Sequence, residues 1–103
     1  MTTPSAQAAQ IDEILGAIAQ ELHVSEDDLL KQGSRALLER QLRQVKAQIF
    51  ELTGRYGVSS VEEMEDRYRE GALEEADSWQ DLQRLDHLEC KRDRLLKLIQ
   101  ALA

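Results

Sequence analysis

The chain has 103 residues, enough for one small domain, and Leu, Ala, Glu, Gln and Arg dominate it, all strong helix formers. Only four residues are aromatic, and the sparse β-branched residues never alternate with polar ones over a strand length, so little or no sheet is expected. The formal net charge of -7 argues against nucleic-acid or anionic-membrane binding by bulk attraction.

In chain order, residues 1–5 read as a tail and residues 6–22 as a first helix. Ile11, Ile14, Leu15, Ile18 and Leu22 recur at the spacing of one helical face. His23 stands where that helix should break, because His tolerates positive φ better than most residues. Ser25 then offers an N-cap, and Glu26, Asp27 and Asp28 place negative charge where the helix dipole favours it. A second helix is expected over 26–53. Its Leu38, Leu42, Val45, Ile49 and Leu52 follow alternating steps of four and three, a coiled-coil type of seam. Gly33 and Ser34 interrupt its upstream part and mark either a close helix crossing or a weak point.

Gly54 and Gly57 are expected to stop helix two. Ser60 with Glu63, or Ser59 with Glu62, has capping-box spacing for a short third helix over 61–70. That helix should bury Val61 and Met64, with Tyr68 at its margin, and end at Gly71. Asp77 or Ser78 caps a fourth helix over 79–102. Leu85, Leu88, Leu95, Ile99 and Leu102 form its seam, Leu82, Leu96 and Leu98 widen it, and Arg92 occupies the missing heptad position.

These elements predict an all-α protein: a long antiparallel helical hairpin (26–53 and 79–102), a short tip helix (61–70) and an N-terminal helix (6–22). The chain reads as one helical domain, with 1–34 as a dimerisation segment and 35–103 as the hairpin. Its stripes are narrow, so the core is thin, and small bundles of this kind complete their cores by oligomerising. A homodimer or higher oligomer is expected, joined by Ile11, Ile14, Leu15, Ile18, Leu22, Leu29 and Leu30. One cysteine, Cys90, cannot close a disulfide within the chain, and no apolar run approaches 18 residues. A soluble cytoplasmic protein that does not enter membranes is the expectation.

Charge is segregated along the chain. Residues 1–34 carry six acids and one base, and residues 62–89 carry eleven acids and three bases. Residues 35–50 and 91–97 each carry four bases and one acid. An antiparallel hairpin brings the two basic stretches side by side, so Arg35, Arg40, Arg43, Lys46, Lys91, Arg94 and Lys97 are a candidate patch for nucleic acid or an acidic partner. The alternative is a solvated surface whose bases meet acids elsewhere.

No catalytic signature is present. His87 and Cys90 lie three apart on helix four, but two ligands do not make a metal site. The many carboxylates suit solubility in a helix-rich chain, and "TGRYG" lacks the strand and the Lys-Ser/Thr of a phosphate loop. No enzyme, cofactor or metal is therefore expected. Trp79 either anchors a partner or plugs the hairpin tip against Phe50, Tyr56 and Met64.

Two stretches resemble known families. "LGAIAQELHVSEDDLLKQGSRALLER" resembles the two-helix part of ribbon-helix-helix proteins through Val24, Ser25, Leu29, Leu30 and Leu37 or Leu38. The preceding "MTTPSAQAAQ" shows no strand pattern. The resemblance implies two-helix dimerisation. "RYGVSSVEEMEDRYREGALEEADSWQDLQRLDHLECKRDRLLKLIQ" resembles small helical proteins of bacteria and archaea, through Tyr56, Gly57, Ser60, Glu63, Met64, Gly71 and Trp79. Proteins of that group are often paired with a small toxin, so the resemblance implies an antitoxin-like role in a toxin–antitoxin system. The expected function is then a non-enzymatic protein-binding module, with Trp79, Glu74, Glu75, Asp77 and Asp81 contacting a protein partner such as a cognate toxin. A dimeric DNA-binding transcriptional regulator is the first alternative, and a structural helical assembly module the second.

Overall fold

The computed structural model describes residues 4–73 and 78–103, and in it four helices and no strand are found among those residues. They are α1 (Pro4–Leu22), α2 (Glu26–Tyr56), α3 (Val61–Arg69) and α4 (Ser78–Ala101). The all-α class and the hairpin with its tip helix are as the sequence predicts. Two boundaries differ by more than one residue. Helix α1 begins at Pro4, because proline fits the first turn, where a backbone N–H has no acceptor. Helix α2 runs through Gly54 and ends only at Tyr56.

Three helix ends share one device. A residue with positive φ follows each helix, directly at His23 (56°) and Gly57 (63°) and after the C-cap Glu70 at Gly71 (72°). The following N–H then reaches back five residues, as Val24 to Ala19, Val58 to Thr53 and Ala72 to Arg67, at 2.9–3.0 Å. These are Schellman closures, which satisfy carbonyls that the helix itself leaves unpaired. Glycine supplies this conformation at no steric cost in two of them, and histidine does so in the first.

The chain divides into two compact units, residues 1–37 and 38–103. The first holds α1 and the opening turns of α2. The Ser25 hydroxyl caps α2 by accepting the Asp28 N–H at 3.0 Å. Ala19 is the one buried apolar residue in this unit among the described side chains. Leu15, Val24 and Leu29 are half-buried, while Ile11, Ile14, Ile18, Leu22, Leu30 and Leu37 are exposed.

The second unit holds the core. Val45, Leu52 and Tyr56 of α2 pack with Val58, Met64 of α3, and Leu82, Leu85, Leu88 and Leu95 of α4. Met64 and Leu85 are fully enclosed. Leu38, Leu42 and Ile49 continue the α2 seam at partial burial. Arg55 and Tyr56, at the end of α2, both bond Asp81 in the first turn of α4, which sets the two helices antiparallel.

Helix α3 is fastened at both ends. Ser60 caps it by accepting the Glu63 N–H, while the Glu63 carboxylate reaches back to the N–H and hydroxyl of Ser59. The Glu89 carboxylate of α4 accepts the Val61 N–H at 2.7 Å. Arg67 donates to the Tyr56 carbonyl at the end of α2 at 3.0 Å.

Candidate functional site

The position of Trp79 corrects the tip-plug expectation. Met64 and Tyr56 fill the tip, whereas Trp79 is 51% exposed and Phe50 is 79% exposed. The reason is register. The α2 seam runs through Leu52 and Tyr56, so Phe50 points away from it, and Leu82, not Trp79, takes the inward position of the first turns of α4.

Trp79 instead packs on Tyr68 of α3, with ring centroids 5.4 Å apart and planes tilted by 44°. That separation lies within the favourable range for tilted aromatic pairs. The two rings close one end of a groove of about 410 Å³ between α3 and α4. Its lining comprises Val61, Glu65, Tyr68 and Arg69 from α3, and Trp79, Leu82, Gln83 and Asp86 from α4. The helices run antiparallel here, since Tyr68 meets Trp79 while the Val61 N–H meets Glu89. The groove therefore has an aromatic end and a far end near Val61 and Asp86.

The charges of the groove are unevenly satisfied. Glu65 and Arg69 form an i,i+4 pair at 2.6 Å along the α3 rim. Asp86 is exposed and has no ion pair or hydrogen bond among the described residues. Asp81, expected as a partner contact, is held within the chain: its side chain is 13% exposed and accepts from Arg55 at 3.0 Å and from the Tyr56 hydroxyl. Those bonds fasten α2 to α4, and the hydrogen bond to Asp81 is the chief cause that raises the Arg55 pKa. Glu74, Glu75 and Asp77 lie outside the described residues. Tyr68 and Asp86 were not singled out from the sequence as contacts. The i,i+7 spacing of Trp79 and Asp86 was the available signal, since it places both on one stripe of α4.

The bases divide by position. Arg55, Arg67 and Arg69, around the tip, are all paired with carboxylates. Arg40, Arg43 and Lys46 on α2 and Lys91, Arg94 and Lys97 on α4 have no ion pair among the described residues. All six belong to the second unit; Lys91 is half-buried and the others are exposed. Arg35 belongs to the first unit.

On α1, Ile14, Ala17, Ile18, Glu21 and Leu22 line a shallow depression of about 340 Å³. Ile11, Ile14, Ile18 and Leu22 thus form an uncovered stripe within their own unit, while Leu15 and Leu29 turn partly inward.

His87 and Cys90 are both exposed. No group of three metal-ligating side chains occurs among the described residues. No described helix is long and apolar enough to cross a membrane.

Comparison with curated proteins returned no match, and neither did comparison with solved structures. The family described as "Uncharacterized protein MJ0235 family" matches residues 2–103, and this chain belongs to it.

Proposed function

We propose that the protein is a non-enzymatic protein-binding module, an antitoxin-like partner that associates with itself through α1 and offers the α3/α4 groove to a second protein. The half-exposed Trp79 against Tyr68 carries this reading. A large aromatic side chain placed in a groove and not in the core is the residue type that dominates binding energy at protein interfaces. The acidic segment 62–89 around it favours a partner with a basic surface, such as a toxin that handles nucleic acid. The exposed isoleucine stripe of α1 supports self-association, because the first unit buries only Ala19 among its described apolar side chains.

Capture of the adjacent gene's product on immobilised protein tests the proposal. Trp79→Ala, and charge reversal of Glu74, Glu75 and Asp77, should each weaken capture at least tenfold. Unchanged capture by both variants rejects this surface as the contact.

One observation favours a second reading, a dimeric DNA-binding regulator. The six bases of the hairpin lack ion partners among the described residues. Contacts to phosphates would make binding fall steeply with salt. A gel shift with the protein's own promoter should then be positive at low salt and lost on Arg43→Ala with Arg94→Ala. A negative result at low salt removes this reading.

A further inference from the structure

The chemistry of the groove specifies its occupant more narrowly than an acidic surface does. Its aromatic end, Tyr68 and Trp79, offers apolar area and, among the described lining residues, no free charge. Its middle has Leu82 as an apolar floor, with Glu65 already neutralised by Arg69 on the rim. Its far end has Asp86, a carboxylate with no partner among the described residues. Trp79 and Asp86 are seven residues apart on α4, so their Cα atoms are separated by about 10 Å along the helix axis.

We propose that the groove receives a helix of the partner protein that carries an apolar side chain for the Tyr68–Trp79 end and, two turns along the same face, a lysine or arginine for Asp86. This rests on the protein-binding reading and defines the partner's chemistry at that site. An apolar residue and a basic residue at i and i+7 on a helix match the separation of the two ends. Phosphate groups are disfavoured, because Asp86 repels them and Arg69, the one basic lining residue, is engaged with Glu65. The α1 stripe of a second copy is disfavoured too, since Asp12, Glu13 and Glu21 accompany its isoleucines.

Trp79 is the only tryptophan, so its fluorescence reports from inside the groove. The probes are two Trp-free, capped amphipathic helical peptides with Leu and Arg at i and i+7, the second having citrulline in place of arginine. Titration at physiological salt should give a saturable change in Trp79 emission with the arginine peptide and roughly five- to tenfold weaker binding of the citrulline peptide. Asp86→Asn should reduce arginine-peptide affinity to the citrulline level and leave citrulline binding unchanged. Asp12→Asn, the same loss of charge in the other unit, should change neither.

The proposal is overturned if no saturable change occurs, if citrulline binds as well as arginine, or if Asp12→Asn weakens binding as much as Asp86→Asn. The last result would reveal bulk attraction to an acidic chain. Capture of the adjacent gene's product separates the two claims. Equal capture by the wild type and Asp86→Asn overturns the groove assignment and leaves the protein-binding reading standing. Peptide binding as described with no capture supports the groove chemistry and overturns the antitoxin-like role.

Discussion

His23, Gly57 and Gly71 occupy the same left-handed position at three helix ends, and only the first carries a Cβ there. His23→Gly should therefore stabilise the protein by about 1 kcal/mol, and Gly57→Ala should destabilise it by about 1–2 kcal/mol, both read from denaturant midpoints. Gly33 and Gly54 differ in kind: both lie inside α2, and a methyl group on either meets nothing within 4 Å. Alanine at each should add roughly 0.5–1 kcal/mol of stability. Gly33 therefore makes no close crossing among the described residues of its own unit. Glu63 supplies the pH-dependent residue-scale effect. The Ser59 hydroxyl and backbone N–H, then Arg67, hold its pKa below the ordinary value of 4.5. Its contribution is thus complete above that value and is lost as pH falls through the lower folded-state value. Glu63→Gln should flatten the acid limb of a stability–pH profile, and an unchanged limb would show that this cap is silent.

At the scale of elements, the α2/α4 hairpin follows its heptad seam, with one exception. Arg92 sits where a leucine would continue the row. It is 31% exposed at its side chain and paired with Asp93 at 3.0 Å and Glu89 at 3.9 Å. A leucine there would extend the apolar row without a charge to keep in solvent, so Arg92→Leu should raise the hairpin's stability by about 1 kcal/mol. Leu85→Ala, two turns nearer the tip and fully enclosed, should lower it by about 2–5 kcal/mol. Thermal melts of the two variants should move in opposite directions. Helix α3 depends on tertiary bonds more than on its own nine residues. Its first N–H is taken by Glu89 and its Arg67 closes the end of α2. The Ser60 cap was legible because capping has a fixed sequence spacing. The part played by Glu89, 28 residues away, had no local signal.

For the whole molecule, the contrast between the two units decides what to measure. Residues 38–103 enclose a core, whereas residues 1–37 leave Ile11, Ile14, Ile18 and Leu22 uncovered within their own unit. A stripe of this kind is worth several kcal/mol when buried against a second copy. Ile14→Lys with Ile18→Lys should therefore convert a dimer to a monomer in light scattering and leave most of the helical circular dichroism intact. A monomeric wild type would refute self-association through α1. The association step also bears on partner binding, because two copies would present two α3/α4 grooves to one assembly.

By itself the sequence determined the helical class, the four elements, the cap at Ser60, the break at His23 and the seam residues. Each is written in local spacing, with period 3.6 for a buried face and fixed offsets for caps. Only the tertiary structure decided which residues outside the seam are used and for what. It turned Trp79 outward onto Tyr68, exposed Phe50, tied Asp81 to Arg55 and Tyr56, and left Asp86 without a partner among the described residues. These outcomes depend on the register and crossing of α2, α3 and α4. A rotation of less than one residue step about a helix axis exchanges an inward side chain for an outward one. Periodicity identifies the buried stripe of each helix, but the side chains at its edges are assigned only when the helices meet.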